Sequence, residues 1–335
     1  MHVELVVPAL FRTEASAPAL EFLLARGRRA DAQAASLEDW LGRAFGLGEG
    51  PLPAGALSAL AAGLEPGAGH WLRADPVHLR PDRDRVLLIP SAGFDIAADE
   101  AQSLCDALTA HFADQFSLHA FAPDRWGLCA RSAIELRARA PIEIAGRDID
   151  AELPHKRWHA QLNEIQMALY QHAVNTAREA RGDPVVNGVW LWGAGTLPAA
   201  AAASNALPWQ SVSAADPVTL GLAKLAGMRH RAPGAGAAAW LERAPEDGRH
   251  LVQLDVLRGA HALGDAGALA ARTLELETQW FAPLLAALRA GRVGMLTVQV
   301  PDAGASFEVV RGDLRRFWRR PRPLASHLRT EEIRA

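Results

Sequence analysis

Four side chains near the ends of predicted strands have the types needed for metal or acid–base chemistry. His261 and Asp265 follow the predicted strand HLVQLDVL, Asp255 lies near the end of that strand, and Asp302 follows a second predicted strand, GMLTVQV. Imidazole and carboxylate groups are ligands for zinc and manganese. Two such residues in one loop do not complete a metal site, so we expect no bound metal. If one binds, His261 and Asp265 are its candidate ligands, and all four residues are the candidate catalytic groups.

The other histidines and cysteines form no recognisable catalytic motif. His155 and His159 stand four residues apart, but no acidic residue lies between them as the metal-protease pattern requires. Neither Cys105 nor Cys129 lies in a motif with a base nearby, and the chain has no GxSxG elbow and no Walker loop. The sequence therefore offers no candidate nucleophile.

Two arginine-rich stretches are candidates for binding anions. In WLRADPVHLRPDRDR, four arginines could grip a carboxylate or phosphate through paired hydrogen bonds, but interleaved aspartates favour a neutralised surface hairpin. The stretch RGDLRRFWRRPRPLASHLR combines seven arginines with Phe317 and Trp318, a composition that could stack on nucleic acid. We predict instead a solvated terminal segment anchored by its aromatic side chains, and we do not expect nucleic acid as a partner.

The totals are those of a globular protein with a large core. The chain has 335 residues, 50% hydrophobic and 22% charged, and its net charge of −3 gives no overall attraction to nucleic acid or membrane. Two cysteines exclude a disulfide framework and are typical of a reducing cytoplasm, where we expect the protein. The N-terminus does not resemble a signal peptide, and no apolar run reaches the roughly 18 residues that span a bilayer.

A central segment has the clearest local pattern. Apolar residues at spacings of three and four predict one amphipathic helix, which Gly182 ends: Trp158, Leu162, Ile165, Leu169 and Ala173. The apolar run from Val185 to Trp192 predicts a buried strand that leads into the glycine turn Gly193–Gly195. We therefore interpret this segment as half of an α/β unit, whose carboxyl strand edge is the usual place for a ligand.

Strands alternate with helices at both ends of the chain, which predicts one mostly parallel sheet. The block at 66–150 has the pattern of a small α+β unit inserted into it. The predicted fold is therefore an α/β core formed by 1–65 and 151–335, with an inserted α+β domain at 66–150.

Several motifs together resemble archaeal-type cofactor-independent phosphoglycerate mutases, members of the alkaline-phosphatase superfamily. HAVNTAREARGDPVVNGVWLWGAG is similar to a family segment with Asn175, Arg178 and Asn187 before a Gly-x-Gly turn. RADPVHLRPDRDR, which contains His78 and Arg80, looks like the start of the family's inserted domain. SAADPVTLGLAKLAGM and HALGDAG look like segments near its active site. ADPVHL, LNEIQM and VNGVWLWGAG resemble a bacterial branch of RpfE-type regulatory proteins. The resemblance implies an alkaline-phosphatase-like core, with these five residues as ligand-binding candidates.

The departures from that family fall on its metal ligands. The first strand ends in Pro8-Ala9 where the family has Asp-Gly, Leu257 replaces the aspartate of the Asp-x-x-Gly-His motif, and Asp302 has no adjacent histidine. We find no equivalent of the nucleophilic serine. A dinuclear site without most of its carboxylates cannot hold two dications.

Three functions are consistent with the sequence. The first is a phosphoglycerate-mutase-like protein without metal-dependent phosphotransfer, which binds a small phosphorylated or acidic ligand or a protein partner in regulation. The second is an active mutase-type phosphotransferase or phosphatase with a remodelled site, which would need manganese or zinc. The third is nucleic-acid or protein binding through the arginine-rich C-terminal stretch. We predict the first, with no cofactor and no membrane partner.

Overall fold

The computed structural model describes residues 1–48, 50–83, 85–152, 156–198, 207–244 and 247–328. At 156–159 it describes the backbone alone. The chain forms two compact units: a core unit, Met1–Glu49 with Ala200–Ala335, and an insert unit, Gly50–Ala199. The predicted insertion at 66–150 is therefore shorter than the insert unit at both ends. Strands and helices are numbered below along the whole chain.

A seven-stranded sheet organises the core unit. Its strands are β1 (His2–Val6), β2 (Arg28–Asp31), β8 (Ser211–Ser213), β9 (Arg229–Arg231), β10 (Arg249–Gln253), β11 (Met295–Val300) and β12 (Ala305–Val310). Their order is β2-β12-β11-β1-β10-β8-β9. The five strands from β11 to β9 run parallel, and β12 and β2 continue the sheet antiparallel at one edge. The predicted mostly parallel sheet is confirmed.

Helices flank this sheet and bury its apolar strands. They are α1 (Pro18–Arg26), α2 (Leu37–Ala44), α8 (Pro217–Leu225), α9 (Ala237–Arg243), α10 (Arg258–Ala262), α11 (Ala266–Leu276) and α12 (Ala282–Ala290). Leu5 and Val298 from the sheet share one fully buried cluster with Leu20, Phe281 and Leu284 from the helical layer. Each such side chain contributes about 1.5–3 kcal/mol by leaving water. No helix among the described residues is long and apolar enough to cross a membrane.

A π-helical turn, Glu277–Phe281, joins α11 to α12. Pro283 has no N–H to donate one turn back, and a widened turn accommodates that loss. The turn also places the carboxylate of Glu277 at the start of α1, where it accepts hydrogen bonds from the backbone N–H groups of Ala19 at 2.6 Å and Leu20 at 3.1 Å. A residue more than 250 positions away thus caps a helix whose own N-cap, Ala17, has no side-chain acceptor.

The insert unit has a five-stranded antiparallel sheet. Its elements are α3 (Ala54–Ala61), β3 (His70–Asp82), β4 (Arg85–Pro90), α4 (Ala98–His111), β5 (Phe116–Ala122), β6 (Arg125–Ala130), α5 (Ile149–Glu152), α6 (Lys156–Tyr170), α7 (Ala173–Arg181) and β7 (Gly188–Gly195). Apolar residues of α4, α6 and the sheet share a second buried cluster, which includes Leu104, Ile165, Trp126 and Val189. The predicted smaller α+β unit is thus present with its own core.

Two close contacts explain why the insert unit is longer than predicted. A Cβ on Gly55 of α3 would lie 2.4 Å from the Leu72 backbone, so only glycine lets α3 approach β3 this closely. At the other end, β7 pairs antiparallel with β3 from Gly188 to Gly195. The strand predicted at 185–192 therefore exists, but it belongs to the insert sheet and is not part of a parallel α/β unit. An apolar strand fits either sheet, and its pairing partner lies more than 100 residues away.

Candidate functional site at the carboxyl edge of the core sheet

The parallel strands of the core sheet bring four loop starts to one edge, and three of them carry an aspartate. β1 leads into Pro8-Ala9, β8 into Asp216, β10 into Asp255, and β11 into Asp302. Carboxyl ends of parallel strands are the usual place for ligands in α/β proteins. This edge is the candidate functional site of the core unit.

Ala9 adopts an unusual backbone conformation at the end of β1. Its φ is +63°, in the left-handed region that favours glycine, and the residue is only 3% exposed. The backbone N–H of Ala9 donates a hydrogen bond to Oδ1 of Asp302 at 2.9 Å. The strained turn is thus tied to the end of the neighbouring strand by a charge-assisted hydrogen bond, which helps to offset the strain.

The second oxygen of Asp302 faces a cation supplied by the chain. Nε of Arg12 lies 3.8 Å from Oδ2 of Asp302, and both side chains are partly exposed. His261 lies in the same electrostatic neighbourhood: burial and then the Arg12 guanidinium lower its pKa, while Asp302 acts in the opposite direction. Arg12 and Asp302 can therefore hold opposite charges, and the lowered pKa of His261 favours its neutral form.

The other predicted catalytic groups do not join this pair in a metal cluster. Oδ1 of Asp265 accepts from the backbone N–H of Ala268 at 2.8 Å, so this exposed carboxylate caps α11. Asp255 is half-buried in the turn before α10, where its carbonyl accepts from the N–H of Arg258. Leu257 is fully buried. Within the described residues, no three His, Cys, Asp or Glu side chains are grouped to hold a metal ion.

Sequence reasoning missed a polar chain at the ends of β8 and β10. Oδ2 of Asp216 accepts from both the N–H and the hydroxyl of Thr219, at 2.8 and 2.9 Å, at the start of α8. The same hydroxyl oxygen also lies within hydrogen-bonding distance of the side-chain amide of Gln253, which is 1% exposed. Asp-Pro followed by threonine is a recognisable helix start and could have identified the first two residues. Nothing in the sequence marks Gln253, because its partner Thr219 lies in α8, 34 residues away along the chain.

The residues predicted to bind a ligand lie in the insert unit, where their hydrogen bonds go largely to backbone. The amide of Asn175 donates to the carbonyls of Leu169 and Val186, at 2.9 and 2.8 Å, and accepts from Val186 N–H at 2.9 Å. The amide of Asn187 bonds to both backbone groups of Leu79, at 2.7 and 2.9 Å. These amides therefore join α7 to β7 and β7 to β3.

The three basic members of that predicted set differ in exposure. Nδ1 of His78 lies 2.9 Å from the carbonyl of Val185. Arg178 is 2% exposed, donates to the carbonyls of Pro184 and Asp95 at 2.8 and 2.7 Å, and forms an ion pair with Glu100. Arg80 is exposed. Nothing in these contacts tests ligand binding by the five residues, which stays a prediction.

The arginines of the predicted surface hairpin also differ in exposure. The surface-hairpin interpretation fits Arg85, which pairs with Asp82 at 3.0 Å on exposed side chains. It is wrong for Arg73, which is buried in an ion pair with Asp75. Burial raises the pKa of Asp75, and Arg73 opposes that shift. The pair of His155 and His159 lies outside the described side chains.

The cysteines are poorly suited to act as nucleophiles. Burial raises the pKa of the Cys105 thiol to about 12, and it also raises the pKa of Cys129. A thiol with a raised pKa has little of the reactive thiolate at neutral pH.

Comparison with known proteins supports the fold. No protein-family model and no curated protein sequence matches the chain. Among solved structures, it is similar to the PH0037 protein from Pyrococcus horikoshii, with 14% identity and a TM-score of 0.54 over 92% of this chain and 87% of that one. A cofactor-independent phosphoglycerate mutase from Thermoplasma acidophilum also aligns, at 17% identity over 93% and 90% of the two chains, with a TM-score of 0.42. At these identities, the likeness to the first structure shows a shared fold.

Proposed function

We propose that this protein is a phosphoglycerate-mutase-like protein, of the type found in the RpfE-type regulatory branch, that no longer carries out metal-dependent phosphotransfer. In this proposal it acts by binding a small phosphorylated or acidic ligand, or a protein partner. The support comes from the family-like sequence motifs and from the chemistry at the carboxyl edge of the core sheet.

One observation carries the proposal: Asp302 is bonded to Ala9 N–H and faces Arg12. In the family that the motifs resemble, this edge would hold two divalent metals. Here the residues present do not fit them. Arg12 places a positive charge beside the carboxylate, and like charges about 4 Å apart repel by several kcal/mol at the effective dielectric of a protein surface. The end of β1 offers Pro8-Ala9, which has no side-chain metal ligand.

The remaining carboxylate candidates are consistent with the same conclusion. Asp265 caps a helix, and Leu257 fills a buried apolar position where the resemblance calls for an aspartate. The active alternative would need Asp255, His261, Asp265 and Asp302 to rearrange around manganese or zinc. That rearrangement would remove the cap of α11 and the hydrogen bond that holds Ala9.

The test is metal binding and turnover by the full chain. We expect purified protein, incubated with manganese or zinc and desalted, to retain well below one metal per chain. We also expect it to show no metal-dependent conversion of 3-phosphoglycerate and no hydrolysis of p-nitrophenyl phosphate. Stoichiometric metal with turnover that Asp302→Asn abolishes would overturn the proposal. Asp124→Asn, a change of an exposed carboxylate in the insert unit, is the matched control.

A further inference from the structure

The arginine-rich stretch near the C-terminus forms one wall of a cleft in the core unit. The cleft has a volume of about 660 Å³. Its walls carry cationic and aromatic side chains: Arg29, Trp318, Arg319, Arg320, Arg322 and His327. None of the described residues that line it is acidic. In a chain whose net charge is −3, this is a local concentration of positive charge.

The backbone of this stretch is fixed at both ends. Asp313 accepts from Val310 N–H at 3.2 Å and pairs with Arg316 at 2.6 Å, while Leu324 is 1% exposed in the main core cluster. Between these anchors, Arg26 donates to the carbonyls of Arg316 and Arg319. The segment is therefore not a loose, solvated tail. A site that is already ordered loses little conformational entropy when a ligand binds.

Some guanidinium groups of the cleft have partners within the chain, and others have no carboxylate partner among the described residues. Arg319 donates to the carbonyl of Gly27 at 2.6 Å, and Arg29 pairs with Asp31 at 2.7 Å. Arg320 and Arg322 are exposed, and neither has a carboxylate partner among the residues that the structure describes. Arg315, earlier in the same stretch, is also exposed and has no carboxylate partner among the described residues. These three guanidinium groups are therefore positive charges without a counterion from the described chain.

Two large aromatic side chains stand beside those charges in water. Phe317 is 80% exposed and Trp318 is 66% exposed, and their rings meet edge to face at 5.3 Å. Their faces are nearly perpendicular, at 82°, so each ring keeps a face that is available for stacking. Exposed aromatic residues among arginines are the usual platform for unpaired nucleotide bases.

The positive field extends to the floor of the cleft. His327 stacks on Phe11 at 5.2 Å, and its Nε2 is buried without a hydrogen-bond partner among the described residues. Burial, together with Arg29 and Arg322, lowers the pKa of His327 to about 4. A phosphate in the cleft would oppose both guanidinium groups and raise that pKa.

We propose that this cleft binds single-stranded nucleic acid, with phosphates held by Arg320 and Arg322 and a base stacked on Trp318. Arg315 and Phe317, exposed in the same stretch but outside the cleft lining, would hold a further phosphate and base of the strand. The concave shape favours a polyanion over a flat lipid surface, because a phosphate or nucleotide can enter between the arginines. This binding is independent of the proposed loss of phosphotransfer, because it uses none of the groups at the carboxyl edge.

The test is fluorescence anisotropy of full-length protein with a labelled oligo-dT strand of about 15 nucleotides. With about three phosphates neutralised, affinity should fall roughly twentyfold between about 50 and 200 mM salt. Arg320→Glu with Arg322→Glu should weaken binding at least tenfold and flatten the salt slope. Trp318→Ala should weaken it about tenfold by loss of stacking. The matched control is Arg83→Glu with Arg229→Glu, two exposed arginines outside the cleft.

Three results would overturn the proposal. The first is equal affinity of the cleft and control variants for the oligonucleotide, and the second is no binding by the wild type at low salt. The third is binding to phosphatidylserine vesicles without binding to the oligonucleotide, which would assign the surface to membranes. The substituted side chains are exposed, so circular dichroism should show an unchanged fold in each variant.

Discussion

The predicted ligand-binding residues of the insert unit and the arginine cleft of the core unit differ in how far their polar side chains are already satisfied by contacts within the chain. The sequence favoured a ligand at the first and an inert, solvated segment at the second. In the structure, Asn175, Asn187 and Arg178 direct their hydrogen bonds to backbone groups and to Glu100. Arg320 and Arg322 have no carboxylate partner among the described residues. Residue type identifies the chemistry that is available, but only the contacts show whether the chain itself has used it.

The carboxyl edge of the core sheet lies between these extremes. Asp302 has both oxygens engaged, by Ala9 N–H and by Arg12, but the pair is partly exposed. Both oxygens of this carboxylate interact with groups of the chain itself, which stabilises the fold locally. The comparison thus separates structural polar groups from groups open to a partner, and each class should respond differently to substitution.

The largest effect is expected from Arg178→Met in the insert unit. Arg178 is almost fully buried, and its loss removes the charged donor of the Pro184 and Asp95 carbonyls and leaves Glu100 with Arg181 as its cation. We expect the free energy of unfolding to fall by about 3 kcal/mol, because a buried charged group and its hydrogen bonds to two backbone carbonyls are lost together. Chemical denaturation measures this. Arg80→Met, at an exposed position in the same unit, is the control; similar small losses for both would break the comparison.

Asp302→Ala should have a moderate effect at the carboxyl edge. It removes the acceptor for Ala9 N–H and the negative partner of Arg12. We expect a loss of about 1–2 kcal/mol in the free energy of unfolding. Asp302→Asn keeps an acceptor for the backbone N–H and should lose less than half as much. Equal losses would show that charge, and not the hydrogen bond to Ala9, stabilises this edge.

The cleft should respond to pH through His327. Its folded pKa of about 4 lies below the ordinary 6.5, so its contribution to stability is complete above pH 6.5 and is lost as the pH falls toward 4. Relative to His327→Gln, the wild type should lose about 1 kcal/mol over that range, after allowance for screening at a partly exposed ring. Urea denaturation at several pH values measures the difference. His230→Gln, at an exposed histidine, should instead follow the wild type.

Ala9→Gly should stabilise the protein slightly. A left-handed alanine costs about 1–2 kcal/mol, and the added flexibility of glycine in the unfolded chain returns part of that. We expect a net gain of about 0.5–1 kcal/mol in thermal or chemical unfolding. The control is Ala287→Gly inside α12, which should destabilise by about 1 kcal/mol. A loss at both positions would mean that the turn at Ala9 is not strained.

The smallest effect on stability should come from the arginines that matter most for binding. Arg320→Ser with Arg322→Ser removes two exposed side chains without carboxylate partners in the described chain. We expect the free energy of unfolding to stay within about 0.5 kcal/mol of the wild type. A larger loss would mean that these arginines stabilise the fold, and it would argue against their role in binding nucleic acid.

Local features of the fold were predictable, whereas their partners were not. The apolar runs HLVQLDVL and GMLTVQV predicted strands that the structure contains as β10 and β11. The antiparallel pairing of β7 with β3 was not predictable, because an apolar strand carries no signal for its neighbour. The cap of α1 by Glu277 comes from a distant turn and has no local pattern.

The same limit applies to the candidate site. The absence of acidic side chains at Pro8-Ala9 and Leu257 is visible in the sequence itself. The pairing of Arg12 with Asp302 and the polar chain through Gln253 could not be read from it, because they join loops at the ends of different strands. Arg26 anchors the arginine stretch through a contact between residues 290 positions apart in the chain. The type of a side chain does not indicate so distant a partner.

The most direct test of the central claim is a titration of manganese into metal-free, full-length protein, followed by electron paramagnetic resonance of the free ion. If Arg12 already provides the positive charge at Asp302, the free-ion signal should rise in proportion to added manganese, with no stoichiometric binding. Tight binding of one or two ions per chain, lost in Asp302→Asn, would contradict this and would mean that the carboxyl edge is a working metal site.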